Sequence, residues 1–146
     1  MKVRKKLNSI LEFQFVQLMK KEIVLSSSLA IFMMLASLLH VFKPAMFDPF
    51  IPDSFPKLLV NYLAGIIEFL LGVGLFYTTI RSKVALGLVI VFIVFLPLHI
   101  QDVFRDEPII GSKLVAYVRL PIQFVLIYWA WYICRLSIGK PAIAKS

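Results

Sequence analysis

Four apolar blocks constrain this chain more than any other feature. They cover residues 23–42, 58–77, 84–100 and 114–134, and each approaches the ~20 residues that a membrane-spanning helix needs. A 146-residue chain that is 60% apolar and 16% charged carries more hydrocarbon than a soluble fold of its size can bury, since soluble domains average about 45–50% apolar and ~25% charged residues. The expected fold is therefore all-α: a polytopic membrane protein, built as one four-transmembrane-helix bundle. A soluble enzyme, a nucleic-acid-binding module and a disordered chain do not fit.

The net charge of +8 is better read as topology than as affinity for nucleic acid. Residues 1–22 hold Lys2, Arg4, Lys5, Lys6, Lys20 and Lys21. Between them Leu7, Leu11, Phe15 and Leu18 recur at helical spacing, with Ile10 and Met19 beside them. This predicts a basic amphipathic interfacial helix; the alternative is a solvated lead-in to the first span. Residues 23–134 form the four-span domain, and residues 135–146 a short frayed tail. No secretory signal is expected, because the first apolar block starts late and lacks a small-x-small site.

On a four-span layout, the N-terminal segment, the Arg81–Lys83 turn and the tail share one side and hold eleven basic residues. The opposite loops hold only Lys43, Lys57, Arg105 and Lys113, diluted by Asp48, Asp53, Asp102, Asp106 and Glu107. The positive-inside rule counts lysine and arginine, so both termini are expected in the cytoplasm, with the protein integral to the cell membrane. Trp129, Trp131 and Tyr132 then suit the inner interface, and Phe47, Phe50 and Phe55 the outer one. The loop from 43 to 56 contains Pro44, Pro49, Pro52 and Pro56, which forbid a continuous helix. Its phenylalanines predict an ordered lid on the outer mouth of the bundle.

Little conventional chemistry is available. The single cysteine, Cys134, excludes an intramolecular disulfide and a Cys-x-x-Cys pair. Two histidines on separate segments, His40 and His99, make no metal cage, so no metal is expected. No phosphate-binding glycine loop or nucleophile elbow occurs.

What remains is a set of polar residues inside the spans, where ionisable groups are costly and mark function by default. Asn61, Gly65, Glu68 and Gly72 follow i, i+4, i+7, i+11 and form one stripe of the second span. Glu68 falls ~15 Å into the bilayer, near its midplane. Arg119 and Gln123 share a face of the fourth span. Helical side chains lean toward their own N-terminus, so Glu68, Arg119 and Gln123 lean outward while His40 and His99 lean inward. These polar atoms are expected to converge in the outer half of the bundle, with Pro97 freeing a carbonyl toward them. Each has a plainer reading: Arg119 snorkels instead of pairing with Glu68, the histidines are interfacial caps, and Asn61 and Gln123 are interhelical ties. A structural Glu–Arg tie competes with a ligand or proton site at Glu68.

Three stretches together bring a family into view. The runs Leu39-His40-Val41-Phe42-Lys43-Pro44 and Pro52-Asp53-Ser54-Phe55-Pro56 precede Gly65-Ile66-Ile67-Glu68-Phe69-Leu70-Leu71-Gly72-Val73-Gly74-Leu75. In that order they resemble the DoxX-like membrane proteins, which pair a histidine ending the first span with a proline-rich connector and a glycine- and glutamate-bearing second span. Arg119-Leu120-Pro121-Ile122-Gln123 is similar to the family's Arg-Leu-Pro-x-Gln. Phe95-Leu96-Pro97-Leu98-His99 is similar to its Phe-Pro-x-Asn, with His99 where asparagine is usual. The resemblance covers residues 29–132. It implies a four-helix membrane bundle; some relatives are associated with quinone-linked sulfur oxidation and a distant animal relative is a receptor-assembly chaperone. It supplies no catalytic residues.

The expected function is a non-catalytic membrane protein whose outer-facing polar pocket binds an amphiphilic small molecule or a partner's membrane segment. Glu68 is the central contact, Arg119 its counter-ion, and Gln123, Asn61, His40 and His99 the lining. The alternatives are an accessory subunit of a quinone-linked oxidoreductase, with a quinone as cofactor, and a small proton-coupled transporter built on Glu68. Without a redox metal or thiol, catalysis would require a partner. Expected partners are the bilayer and a membrane protein or a second copy of the chain.

Overall fold

The computed structural model describes residues 2–138, with side chains from Arg4 onward. Among these residues there are four α-helices, α1 (Lys2–Phe42), α2 (Lys57–Gly74), α3 (Arg81–Phe104) and α4 (Lys113–Ile138), with two 3-10 turns, Pro44–Met46 and Asp48–Phe50, between α1 and α2. All four helices are long and apolar enough to cross a membrane.

The expected break at residue 22 is not present in the backbone. The basic segment and the first span are one helix of 41 residues. The first proline is Pro44 and the first glycine Gly65, so nothing interrupts the hydrogen-bond ladder before Lys43. The break survives only as a packing boundary. Buried residues of α1 begin at Glu22 and continue through Ser26, Leu29, Met33, Ser37 and His40, one face at helical spacing. Before Glu22 the described side chains are exposed, apart from half-buried Phe15 and Met19.

Three other ends differ from expectation. Helix α2 stops at Gly74 instead of residue 77, and the carbonyls of Leu75 and Phe76 just past its end are taken by a side chain described below. Helix α3 continues to Phe104, past the predicted end at residue 100, and carries Asp102 into the bundle. Helix α4 runs to Ile138, so residues 135–138 are helical; the remainder of the predicted tail, 139–146, lies outside the described residues.

α1 packs chiefly on α2 and α3 on α4, with lighter contacts joining the two pairs. Each helix offers one stripe. On α2 it is Asn61, Gly65, Glu68 and Gly72, the stripe read from the sequence. On α4 it is Ala116, Gln123, Leu126, Ala130 and Ile133. Leu29, Met33, Leu75, Leu88, Phe92, Leu126 and Ile133 form an apolar middle, while polar side chains gather toward both ends. The outer surface is apolar too: Leu35, Leu70, Val94 and Val125 are all exposed, as suits helices bathed in hydrocarbon.

Close approach of α1 and α2 depends on glycine. A Cβ at Gly65 would stand 2.9 Å from His40 Cβ and 3.2 Å from the Ser37 carbonyl, neither of which can swing away. Gly65→Val should therefore push the helices apart at a cost of about 1–3 kcal/mol, read as a lower unfolding temperature in detergent. Gly87→Ala is the control. Its Cβ would meet only the tip of Leu71, at 3.2 Å, and the midpoint should barely move.

Candidate functional site

Between the two helix pairs, at the connector end, lies a cavity of about 550 Å³. His40, Asn61, Glu68, His99, Arg119 and Gln123 all line it, two from α2, two from α4 and one each from α1 and α3. Phe47, Phe50, Ile51, Pro52 and Phe55 of the connector close one side. The proline-rich segment thus folds onto the mouth as two short turns.

On the α1–α2 wall the polar groups form a chain. His40 Nε2 lies 3.7 Å from Glu68 Oε2. His40 Nδ1 lies 3.4 Å from Asn61 Oδ1, and Asn61 Nδ2 donates to the Pro44 carbonyl at 3.1 Å and to Asp48 Oδ1 at 2.8 Å. Both acceptors of Asn61 Nδ2 lack hydrogens, which fixes the amide's orientation. Its oxygen then faces His40, so Nδ1 carries a proton and Nε2 is the nitrogen presented to Glu68. The imidazole also stacks on Phe47, ring centres 4.0 Å apart. His40 therefore belongs at once to the cavity wall and to the attachment of the connector. Beyond the mouth, Lys57 Nζ lies 2.6 Å from exposed Asp53, and that hydrogen bond and charge hold the Asp53 carboxyl below its usual range.

The α3–α4 wall corrects the expected counter-ion. Arg119 does not pair with Glu68. Its Nη1 donates to Asp102 Oδ2 at 2.9 Å. Asp102 is 1% exposed and its other oxygen accepts the Ile109 N–H at 2.6 Å, which also folds the α3–α4 loop inward. Gln123 Nε2 donates to the Phe92 carbonyl at 2.6 Å. Phe92 precedes Ile93, whose carbonyl loses its in-helix donor at Pro97. His99 Nδ1 is buried and has no hydrogen-bond partner among the described residues.

Asp102 was missed because it followed a span in an acidic stretch. The signal was present: Phe92, Phe95, His99 and Asp102 follow i, i+3, i+7, i+10, a continued helical face. A second cluster was missed altogether, at the other end of the bundle. Arg81 is 3% exposed and Glu22 2%. Arg81 Nη1 donates to Glu22 Oε1 at 3.0 Å, Nε to the Leu75 carbonyl at 2.7 Å and Nη2 to the Phe76 carbonyl at 3.3 Å. Ser137 Oγ donates to the same Glu22 oxygen at 2.8 Å. Residues from α1, α3, α4 and the chain just past α2 are thereby tied at one point. These groups read as structural.

Fold and cavity together define a membrane-type four-helix bundle with a polar-lined chamber at one end. Residues 29–134 match the family described as a domain of unknown function, DUF8561, and the chain belongs to that family. No curated protein and no solved structure matches it.

Proposed function

We propose that this protein binds an amphiphilic small molecule in the connector-end cavity, without catalysing a reaction on its own. The observation that carries the proposal is the convergence of six polar side chains from four helices on one otherwise apolar chamber. Its size lies within the range of about 300–1,000 Å³ usual for ligand sites, and few polar groups on an apolar lining is their usual composition. Glu68 is the central contact. Arg119 shapes the opposite wall under the hold of Asp102. The connector covers the occupant, since Phe47 and Asp48 are fastened to His40 and Asn61. Purification from native membranes in a mild detergent, followed by mass spectrometry of extracted lipids, should return one amphiphile at near-stoichiometric level, lost in Glu68→Gln. An empty cavity in every preparation would sink the proposal.

The proposal extends to orientation. In this reading the cavity opens on the outer side of the cell membrane, both termini are cytoplasmic, and the basic half of α1 before Glu22 lies against the inner surface. Its support is the lysine and arginine distribution. Single cysteines at Asp53 and Asp106, in a Cys134→Ser background, should react with an impermeant thiol reagent in whole cells, and one at Ser82 should not. The reverse pattern would invert the topology.

A second reading follows from the His40–Glu68 contact and the DoxX-like resemblance. A histidine and a carboxylate 3.7 Å apart can pass a proton to a bound quinone oxygen, which would make the chain an accessory subunit of a quinone-linked oxidoreductase. Co-purification of a quinone with a redox partner would favour it.

A further inference from the structure

We propose that the head group this cavity accepts is an ammonium, so that its ligands are amines with an apolar body and fatty acids are excluded. The inference rests on the cavity-binding reading and adds the ligand's charge. Three features of the lining lead to it.

The first is the charge inventory. Among the described residues, one cation, Arg119, and one carboxylate, Glu68, line the cavity. Arg119 is already held by Asp102 at 2.9 Å, so it has no net charge to give an anionic ligand. Among the described residues the ion-pair partner of Glu68 is His40, at 3.7 Å, a side chain that is charged only when protonated. Glu68 therefore has no permanent counter-ion in surroundings of low dielectric, where an uncompensated charge is costly. A cation removes that cost; a second anion doubles it.

The second is hydrogen-bond polarity. Gln123 spends its amide nitrogen on the Phe92 carbonyl, which leaves its oxygen for the cavity. His40 spends its Nδ1 proton on Asn61, which leaves an Nε2 lone pair when the ring is neutral. The Glu68 carboxylate only accepts. These groups from α1, α2 and α4 thus ask for donors. An ammonium carries three, while a carboxylate carries none.

The third is the aromatic lining. Phe32, Phe47, Phe50, Phe55, Phe92 and Phe95 surround the same space. Ring faces attract cations, most strongly where water is excluded, and the rings accept the apolar body as well.

The test uses three ten-carbon probes that differ only in the head: decylamine, decanol and decanoate. Each is titrated calorimetrically into the full chain in nanodiscs of zwitterionic lipid, with empty nanodiscs subtracted. Decylamine should bind saturably and at least 10-fold more tightly than decanoate, with decanol between them. Glu68→Gln should weaken decylamine at least 10-fold and move decanol less than 3-fold. Decanoate binding as tightly as decylamine would overturn the charge inference and leave amphiphile binding standing. Decylamine affinity unchanged in Glu68→Gln would also overturn it. No saturable heat from any probe would overturn the binding reading and this inference together. If Glu68→Gln fails to fold, the ranking of the three probes on the unsubstituted chain decides.

Discussion

Arg81→Met should be the most damaging single substitution in the bundle, although Arg81 lies far from the cavity. Its guanidinium meets three acceptors at once: Glu22 Oε1 and the carbonyls of Leu75 and Phe76. Methionine fills similar space and satisfies none of them. Removing one partner of a buried ion pair commonly costs about 3–5 kcal/mol, because the remaining charge stays desolvated. Two carbonyls at the exit of α2 lose their donor as well, so the chain between Gly74 and Arg81 should loosen. Arg81→Lys should fall between, since an ammonium on a flexible stem cannot reproduce a planar three-way fork. The double variant Glu22→Leu with Arg81→Met should be less damaged than the summed single changes, by about 0.5–3 kcal/mol. Unfolding in detergent, followed by loss of helical signal, reads all of these. An Arg81→Met protein within about 0.5 kcal/mol of the parent would show that the ion pair holds nothing.

The same arginine shows what a sequence hides in a chain of this kind. Arg81 sits in Arg81-Ser82-Lys83, a basic turn between two spans, and such charges are expected to face headgroups. Glu22 likewise ends a lysine-rich segment. Nothing local marks either as buried, because burial depends on which helix ends meet, and that is set by the lengths of α2 and the turn after it. The α2 stripe was legible because one helix contains all of it: Asn61, Gly65, Glu68 and Gly72 are neighbours by periodicity alone. Convergence of His40, His99, Arg119 and Gln123 was legible from side-chain lean and span direction. Pairing was not. The register between α3 and α4 depends on where α3 ends, and the extra turn to Phe104 brings Asp102 to Arg119. Continuity of α1 could have been read from the lack of proline and glycine before Pro44. The amphipathic pattern of residues 1–22 argued for a separate segment, yet periodicity speaks of faces and not of breaks.

Asp102→Asn should separate the two pairings available to Arg119. Asparagine keeps an oxygen for the Ile109 N–H, so the loop bond at 2.6 Å can persist. What goes is the charge facing Arg119, whose side chain is 24% exposed against 1% for Asp102. That partial exposure lets the guanidinium reach water or headgroups, so the loss should fall at or below the low end of the ~3–5 kcal/mol for breaking a fully buried pair. Arg119→Gln should cost at least as much, because the carboxylate left behind cannot snorkel. The double variant should then recover about 1–3 kcal/mol relative to the sum, the coupling of two side chains in contact. Glu68→Gln combined with Arg119→Gln should instead add within about 0.5 kcal/mol, as pairs without shared partners do. Coupling that is larger between Glu68 and Arg119 than between Asp102 and Arg119 would overturn the arrangement of the α3–α4 wall. The ligand readout should move in step. Releasing Arg119 from Asp102 gives the chamber a cation to set against Glu68, so Asp102→Asn should narrow the gap between decylamine and decanoate. A gap left as wide as in the parent chain would mean that Asp102 is not what keeps Arg119 from recruiting anions.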